Sequence, residues 1–86
     1  MVIISQDRLL VLKTESKLVF KTYFNFQTNL HHILVEYVED GVKLEYYVAD
    51  YTNKIECSSV MEKLIKIQLE HGTIINPIDC IDFSTL

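Results

Sequence analysis

From residue 33 to residue 49 the chain reads ILVEYVEDGVKLEYYVA, with apolar and polar positions alternating on either side of an Asp-Gly pair. Alternation with a period of two predicts half-buried strands. Asp40-Gly41 predicts the hairpin turn between them, because a type I′ turn needs positive φ at both central residues. That turn sets Glu39 opposite Val42, Tyr37 opposite Leu44, Val35 opposite Tyr46 and Ile33 opposite Val48. Apart from the pair at the turn, every residue in these rows is apolar or aromatic, and all share one pleat face. The other face sets Val38, Glu36, Leu34 and His32 against Lys43, Glu45, Tyr47 and Ala49. A slip of one residue would expose the apolar set, so burial selects the register. One pair is discordant: Glu36 opposes Glu45, and directly opposed like charges destabilise a sheet unless Lys21 or Lys43 screens them.

Lys17–Phe26 (KLVFKTYFNF) also alternates, with Leu18, Phe20, Thr22, Phe24 and Phe26 on one face. Three phenylalanines mark that face as inward. Against the hairpin, the register that keeps one continuous apolar face puts Leu18 opposite Tyr37, Phe20 opposite Val35 and Thr22 opposite Ile33. A short turn around Gln27–Asn29 closes this second hairpin. Upstream, Met1–Ile4 reads as an edge strand, Ser5–Arg8 as a turn, Leu9–Lys13 as a short strand and Thr14–Ser16 as a hairpin loop.

After Asp50–Asn53 the period becomes helical, to about His71. Cys57, Val60, Met61, Leu64, Ile65 and Ile67 form the apolar stripe, flanked by Ile55, and Ser59, Glu62, Lys63, Lys66 and Glu70 the polar face. Thr52 or Asn53 is the expected N-cap, with Ser58 a later alternative, and Gly72 fits the residue after the C-cap. Eighteen helical residues span about 27 Å, enough to cover one face of the sheet. Thr73–Ile75 is a short apolar run before Pro77, and Ile78–Phe83 reads as a final strand or packed tail. The expected fold is a single α+β domain over residues 1–86. It has a mainly antiparallel sheet of four or five strands, one helix (about 53–71) on one face, and a short extended C-terminal segment.

Composition narrows the function. Half the residues are hydrophobic and Gly and Pro are few, which excludes disorder; at 86 residues the core is thin. The net charge is −4 with one arginine, which disfavours direct binding to a nucleic-acid backbone. Cys57 and Cys80 do not make a disulfide framework or a cysteine-rich zinc site, so two reduced thiols are expected, with a Cys57–Cys80 bridge the alternative that sequence leaves open. The N-terminus lacks a signal-peptide pattern and no apolar run approaches the ~20 residues of a membrane span, so a cytoplasmic setting is expected.

Catalytic motifs are missing. There is no nucleophile elbow, phosphate loop, HExxH or dinucleotide fingerprint. His31 and His32 are adjacent, so on a strand they point to opposite faces and cannot share a metal; in the predicted register His31 faces Asp50. Glu36 with Glu45 is the one close carboxylate pair, an alternative reading as a shared-proton acid–base site or ligand site. No cofactor and no metal are expected, and the leading reading is non-enzymatic.

Two surfaces stand out. The hairpin tip gathers Glu36, Glu39, Asp40 and Glu45 against Lys43, an acidic contact for a basic partner. The outer sheet face carries the rows Val19–Glu36–Glu45, Lys21–Leu34–Tyr47 and Tyr23–His32–Ala49. Tyr23, Leu34 and Tyr47 make an aromatic patch with a charged rim, the composition of an interface core. The expected partner is another protein or, by stacking of two outer faces, a second copy of this chain.

Ile3-Ile4-Ser5-Gln6-Asp7, the strands that follow, and Asp50-Tyr51-Thr52 ahead of a helix resemble a loose family of small uncharacterised proteins of Gram-positive bacteria and their phages. Members open with an apolar run and Ser-Gln-Asp, and carry Leu-Gly-x-Tyr before an amphipathic helix. Val48-Ala49 stands here where Leu-Gly would be. The resemblance implies a phage or accessory-element context in which small acidic proteins bind and block a host protein, as anti-CRISPR proteins do, and it implies no catalytic residues.

Overall fold

The structure is a computed structural model describing residues 2–71 and 80–86, with the side chains of 68–71 outside that set. The architecture is α+β. Strands β1 (Val2–Ile4), β2 (Val11–Lys13), β3 (Val19–Asn25), β4 (Leu30–Glu39) and β5 (Val42–Tyr51) precede helix α1 (Lys54–His71) and a last strand β6 (Cys80–Asp82). The strands divide between two three-stranded sheets, β2-β1-β6 and β3-β4-β5, rather than forming one sheet of four or five. β1 is therefore the centre of its own sheet and not an edge: it pairs antiparallel with β2 and parallel with β6. Thr14–Ser16 belongs to a crossing between the two sheets, not to a hairpin.

The long hairpin forms as the alternation requires. Asp40 and Gly41 have φ of 51° and 76°, the left-handed pair that a type I′ turn demands. Glu39↔Val42 through Leu34↔Tyr47 pair in the expected register. The register then shifts between Ile33 and Leu34, and Ile33 faces Ala49 instead of Val48. Beyond this bulge Asp50 faces His32, not His31, and His31 faces Tyr51. The cause is parity. In the uninterrupted register Asp50 would fall on the core face, where an unpaired carboxylate is costly. One extra residue in β5 turns it outward. Val48 and Ala49 are both buried at the bulge.

β3 pairs with β4 in the register that keeps the apolar face continuous, from Val19↔Glu36 to Asn25↔Leu30. Its turn spans residues 26–29. The Asn25 side chain accepts the Gln27 N–H at 2.9 Å, and Asn29 takes a left-handed φ of 58°. Phe20 and Phe24 are partly buried, but Phe26 lies past the strand end and is 84% exposed, contrary to its inward assignment.

The helix is capped by Asn53, whose side-chain oxygen accepts the Ile55 N–H at 2.7 Å. Its buried stripe is narrower than the sequence pattern suggests. Cys57, Val60 and Leu64 enter the core and Met61 packs against it, whereas Ile55 and Ile65 are exposed. Gly72, Thr73–Ile75 and Pro77 lie outside the described residues. Both cysteines are free thiols, Cys57 buried and Cys80 exposed. Among the described residues no helix is long and apolar enough to cross a membrane.

One core serves both sheets and the helix. Ile3, Leu12, Ile81 and Phe83 meet Ile33, Val35, Tyr37 and Val48 from the long hairpin and Cys57, Val60 and Leu64 from α1. Phe83 reaches the β3 side, with its ring 6.0 Å from that of Phe20. The β1–β2 loop is tied in by polar contacts. Asp7 accepts the Ser5 hydroxyl at 2.6 Å and the Leu9 N–H at 3.0 Å, and Arg8 pairs with Asp82 at 2.8 Å. Gln6 reaches β5, donating its N–H to the Val48 carbonyl and accepting the Asp50 N–H on its side chain. The Ser-Gln-Asp run thus closes a loop and caps a sheet edge.

Phe83 joins the two sheets and is 1% exposed. Phe83→Ala is expected to cost about 3–5 kcal/mol, a large share of a small domain's stability, as a lowered midpoint in urea-induced unfolding.

Candidate functional site

The helix and the β2-β1-β6 sheet share the inner face of the β3-β4-β5 sheet, so its outer face carries none of the core cluster. Period two on β4 places His32, Leu34 and Glu36 there, with β3 adding Val19, Lys21 and Tyr23 and β5 adding Lys43, Glu45, Tyr47 and Asp50. The expected rows stand, except that the third is Tyr23–His32–Asp50 because of the bulge.

The aromatic groups form one assembly across three strands. His32 lies between two tyrosines: its ring is stacked with Tyr23 at 6.2 Å and edge-on to Tyr47 at 4.9 Å. Nδ1 of His32 donates to the Asp50 carboxylate at 2.6 Å, which fixes the ring. Tyr23 and Tyr47 are 50% and 56% exposed, while Leu34 between them is only 8% exposed. The patch therefore has a filled floor and two open aromatic walls. Asp50 is the member that sequence reasoning placed on the wrong face. The available signal was its even position in a strand whose even residues are otherwise apolar.

The charged end of the face is a four-residue cluster. Lys21 pairs with Glu36 and lies 3.5 Å from Glu45, and Lys43 pairs with Glu36 at 3.0 Å. Hydrogen bonds from Lys21 and then Lys43 hold the Glu36 carboxyl down at about 2. The Lys21 ammonium is correspondingly pushed up, first by its hydrogen bond to Glu36. Glu36 is thus ionised across the physiological range. Glu39 and Asp40 stand exposed at the hairpin tip, apart from the aromatic patch, and Glu39 lies on the opposite pleat face from Glu45. His31 lies on the opposite face, against Phe24 at 4.6 Å. No cluster of metal-ligating side chains occurs among the described residues.

A second concavity, an open groove of about 640 Å³, runs between α1 and the end of β5, lined by Gln6, Asp50, Tyr51, Ile55 and Leu86 among others. The Tyr51 hydroxyl is buried beside it without a hydrogen-bond partner among the described residues, and burial pushes its acidity toward higher pH.

The Glu36 cluster gives a pH prediction with a definite sign. A carboxyl whose folded value is depressed from 4.5 to about 2 contributes stability above pH 4.5, and that stability is lost as pH falls to about 2. The stability difference between wild type and Glu36→Gln, measured by denaturant unfolding, is expected to be constant above pH 4.5 and to shrink toward pH 2. Comparison with family models, curated proteins and solved structures finds no match to this chain.

Proposed function

We propose that this chain is a non-enzymatic protein-interaction module whose contact surface is the outer face of the β3-β4-β5 sheet. The observation that carries the reading is the Tyr23–His32–Tyr47 assembly, two half-exposed rings held by a third over a buried leucine. Large aromatic side chains restrained before binding lose little entropy on contact, and such residues dominate interface energetics. The exposed Glu39 and Asp40 and the Lys21–Glu36–Lys43–Glu45 cluster supply a polar rim with an acidic end. A partner with an apolar or aromatic projection flanked by basic residues fits this arrangement.

The resemblance of the Ile-Ile-Ser-Gln-Asp opening to small phage and accessory-element proteins supports a more specific form: a cytoplasmic inhibitor or regulator that binds a host protein and blocks it, in the manner of anti-CRISPR proteins. Direct binding to nucleic acid is disfavoured by the −4 net charge.

The test is affinity capture from a bacterial host lysate with wild type, with the pair Tyr23→Ala and Tyr47→Ala, and with the tip pair Glu39→Lys and Asp40→Asn. Asparagine at residue 40 keeps the left-handed φ available while removing the charge. Both double variants should fold by circular dichroism. The tyrosine pair should lose the captured protein and the tip pair should weaken it; undiminished capture by the folded tyrosine variant overturns the reading.

A further inference from the structure

The β3-β4-β5 sheet has two edges, and the chain treats the β5 edge unevenly. In a two-residue type I′ hairpin the residues flanking the turn exchange both backbone hydrogen bonds. Val42, Leu44 and Tyr46 therefore turn their N–H and C=O groups toward β4, while Lys43, Glu45 and Tyr47 turn theirs to the free edge. The far end of the strand confirms the phase: beyond the bulge, the outward N–H of Asp50 and the outward carbonyl of Val48 are the groups that Gln6 takes. Gln6 occupies the place of a neighbouring strand at residues 48–50. Among the described residues, no other segment hydrogen-bonds to the outward backbone groups of residues 43, 45 and 47. Lys43, Glu45 and Tyr47 are all exposed there, as is Val42.

The side chains of this open stretch are self-complementary. A two-fold axis through Leu44, with two β5 strands antiparallel, sets Lys43 opposite Glu45 of the second copy, Glu45 opposite Lys43, Val42 opposite Tyr46, and Leu44 opposite Leu44. Each is a favourable cross-strand pair. Lysines on an edge strand ordinarily deter pairing. Here the charge that would deter a foreign strand matches a second copy. The same register relieves the discordance within the sheet. Glu45 faces Glu36 on β4, and the cation beside it among the described residues is Lys21 at 3.5 Å, already bound to Glu36. Lys43 of a second copy would stand on its other side. No equivalent exists at β3, whose one charged residue is Lys21.

We propose that residues 42–46 of β5 pair antiparallel with the same residues of a second copy about a two-fold axis at Leu44, joining two three-stranded sheets into one of six strands. The inference rests on the edge alone and stands whether or not the outer face binds a foreign protein. In this dimer the outer faces become continuous, and the acidic tip of each copy lies beside Tyr47 of the other.

The test is charge exchange read by light scattering over a concentration series. Wild type should rise from 10.1 kDa toward twice that mass. Lys43→Glu alone sets Glu against Glu twice, and Glu45→Lys alone sets Lys against Lys twice. Each should dimerise at least about tenfold more weakly. An equal mixture of the two variants restores opposite charges at both positions and should recover the dimer. A second readout fixes the register. In a Cys80→Ser background, Leu44→Cys should form an intermolecular disulfide on mild oxidation, and Glu39→Cys should not. A wild type that stays monomeric at its highest soluble concentration overturns the proposal. So does a dimer indifferent to both charge variants, as pairing through β3 would give, or one in which Leu44→Cys does not cross-link, as stacking of outer faces would give. Should a charge variant fail to fold, the disulfide pattern decides alone.

Discussion

The dryness of one face of β4 is the constraint on which the rest depends. Ile33 and Val35 are fully buried and Tyr37 nearly so, and they meet the helix and the second sheet in one core. Because side chains alternate, this burial also dictates what the opposite face displays: His32, Leu34 and Glu36, in that order and spacing. The like charges of Glu36 and Glu45 cannot be parted by a slip of register, since any slip would put the core in water. They are reconciled by lysines instead, and the depressed Glu36 carboxyl is the electrostatic trace of that solution.

The bulge answers the same constraint at the other end of the hairpin. Asp50 and Tyr51 follow Val48-Ala49, and continued alternation would point the carboxylate inward and the tyrosine out. Inserting one residue reverses both. Asp50 becomes the outer-face partner of His32, and Tyr51 packs against the core. Gln6 then covers the backbone groups that the bulge leaves at the edge. A device that spares the core an unpaired charge thereby also fixes the central ring of the aromatic assembly.

What could be read from the sequence follows the range of the interactions. The Asp-Gly turn, the register of the β3–β4 hairpin and that of the long hairpin as far as Leu34 were legible because each is decided by neighbours in the chain and by an alternation that admits one dry face. The helix was legible for the same reason, and its cap was narrowed to Thr52 or Asn53, with Ser58 as a later alternative, of which Asn53 fills the place. The β2-β1-β6 sheet was not. Its strands have three residues each, too short for a period to show, and its parallel β1–β6 pairing joins opposite ends of the chain. Phe26 was misread because alternation says nothing about where a strand stops. Ile55 and Ile65 were misread because α1 packs on β4 and β5, and two strands cannot cover a wide apolar stripe. Of the outer-face residues, Tyr23, His32, Leu34 and Tyr47 were placed correctly from pattern alone; the hydrogen bond that orders them depends on a bulge with no glycine to announce it.

Among the described residues no element covers the outer face, for a reason of supply. A domain of this size has one helix and a handful of short strands to spend on burial, and the inner face, with its larger apolar area, takes them all. The outer face must then stabilise itself laterally. It does so by closing Leu34 beneath its neighbours and seating His32 between Tyr23 and Tyr47. Contacts of this kind form within the sheet and do not wait for a partner, so the rings are restrained in the free chain. An exposed aromatic surface ordered by its own strands presents less entropy to be lost on contact than one of loosely held side chains.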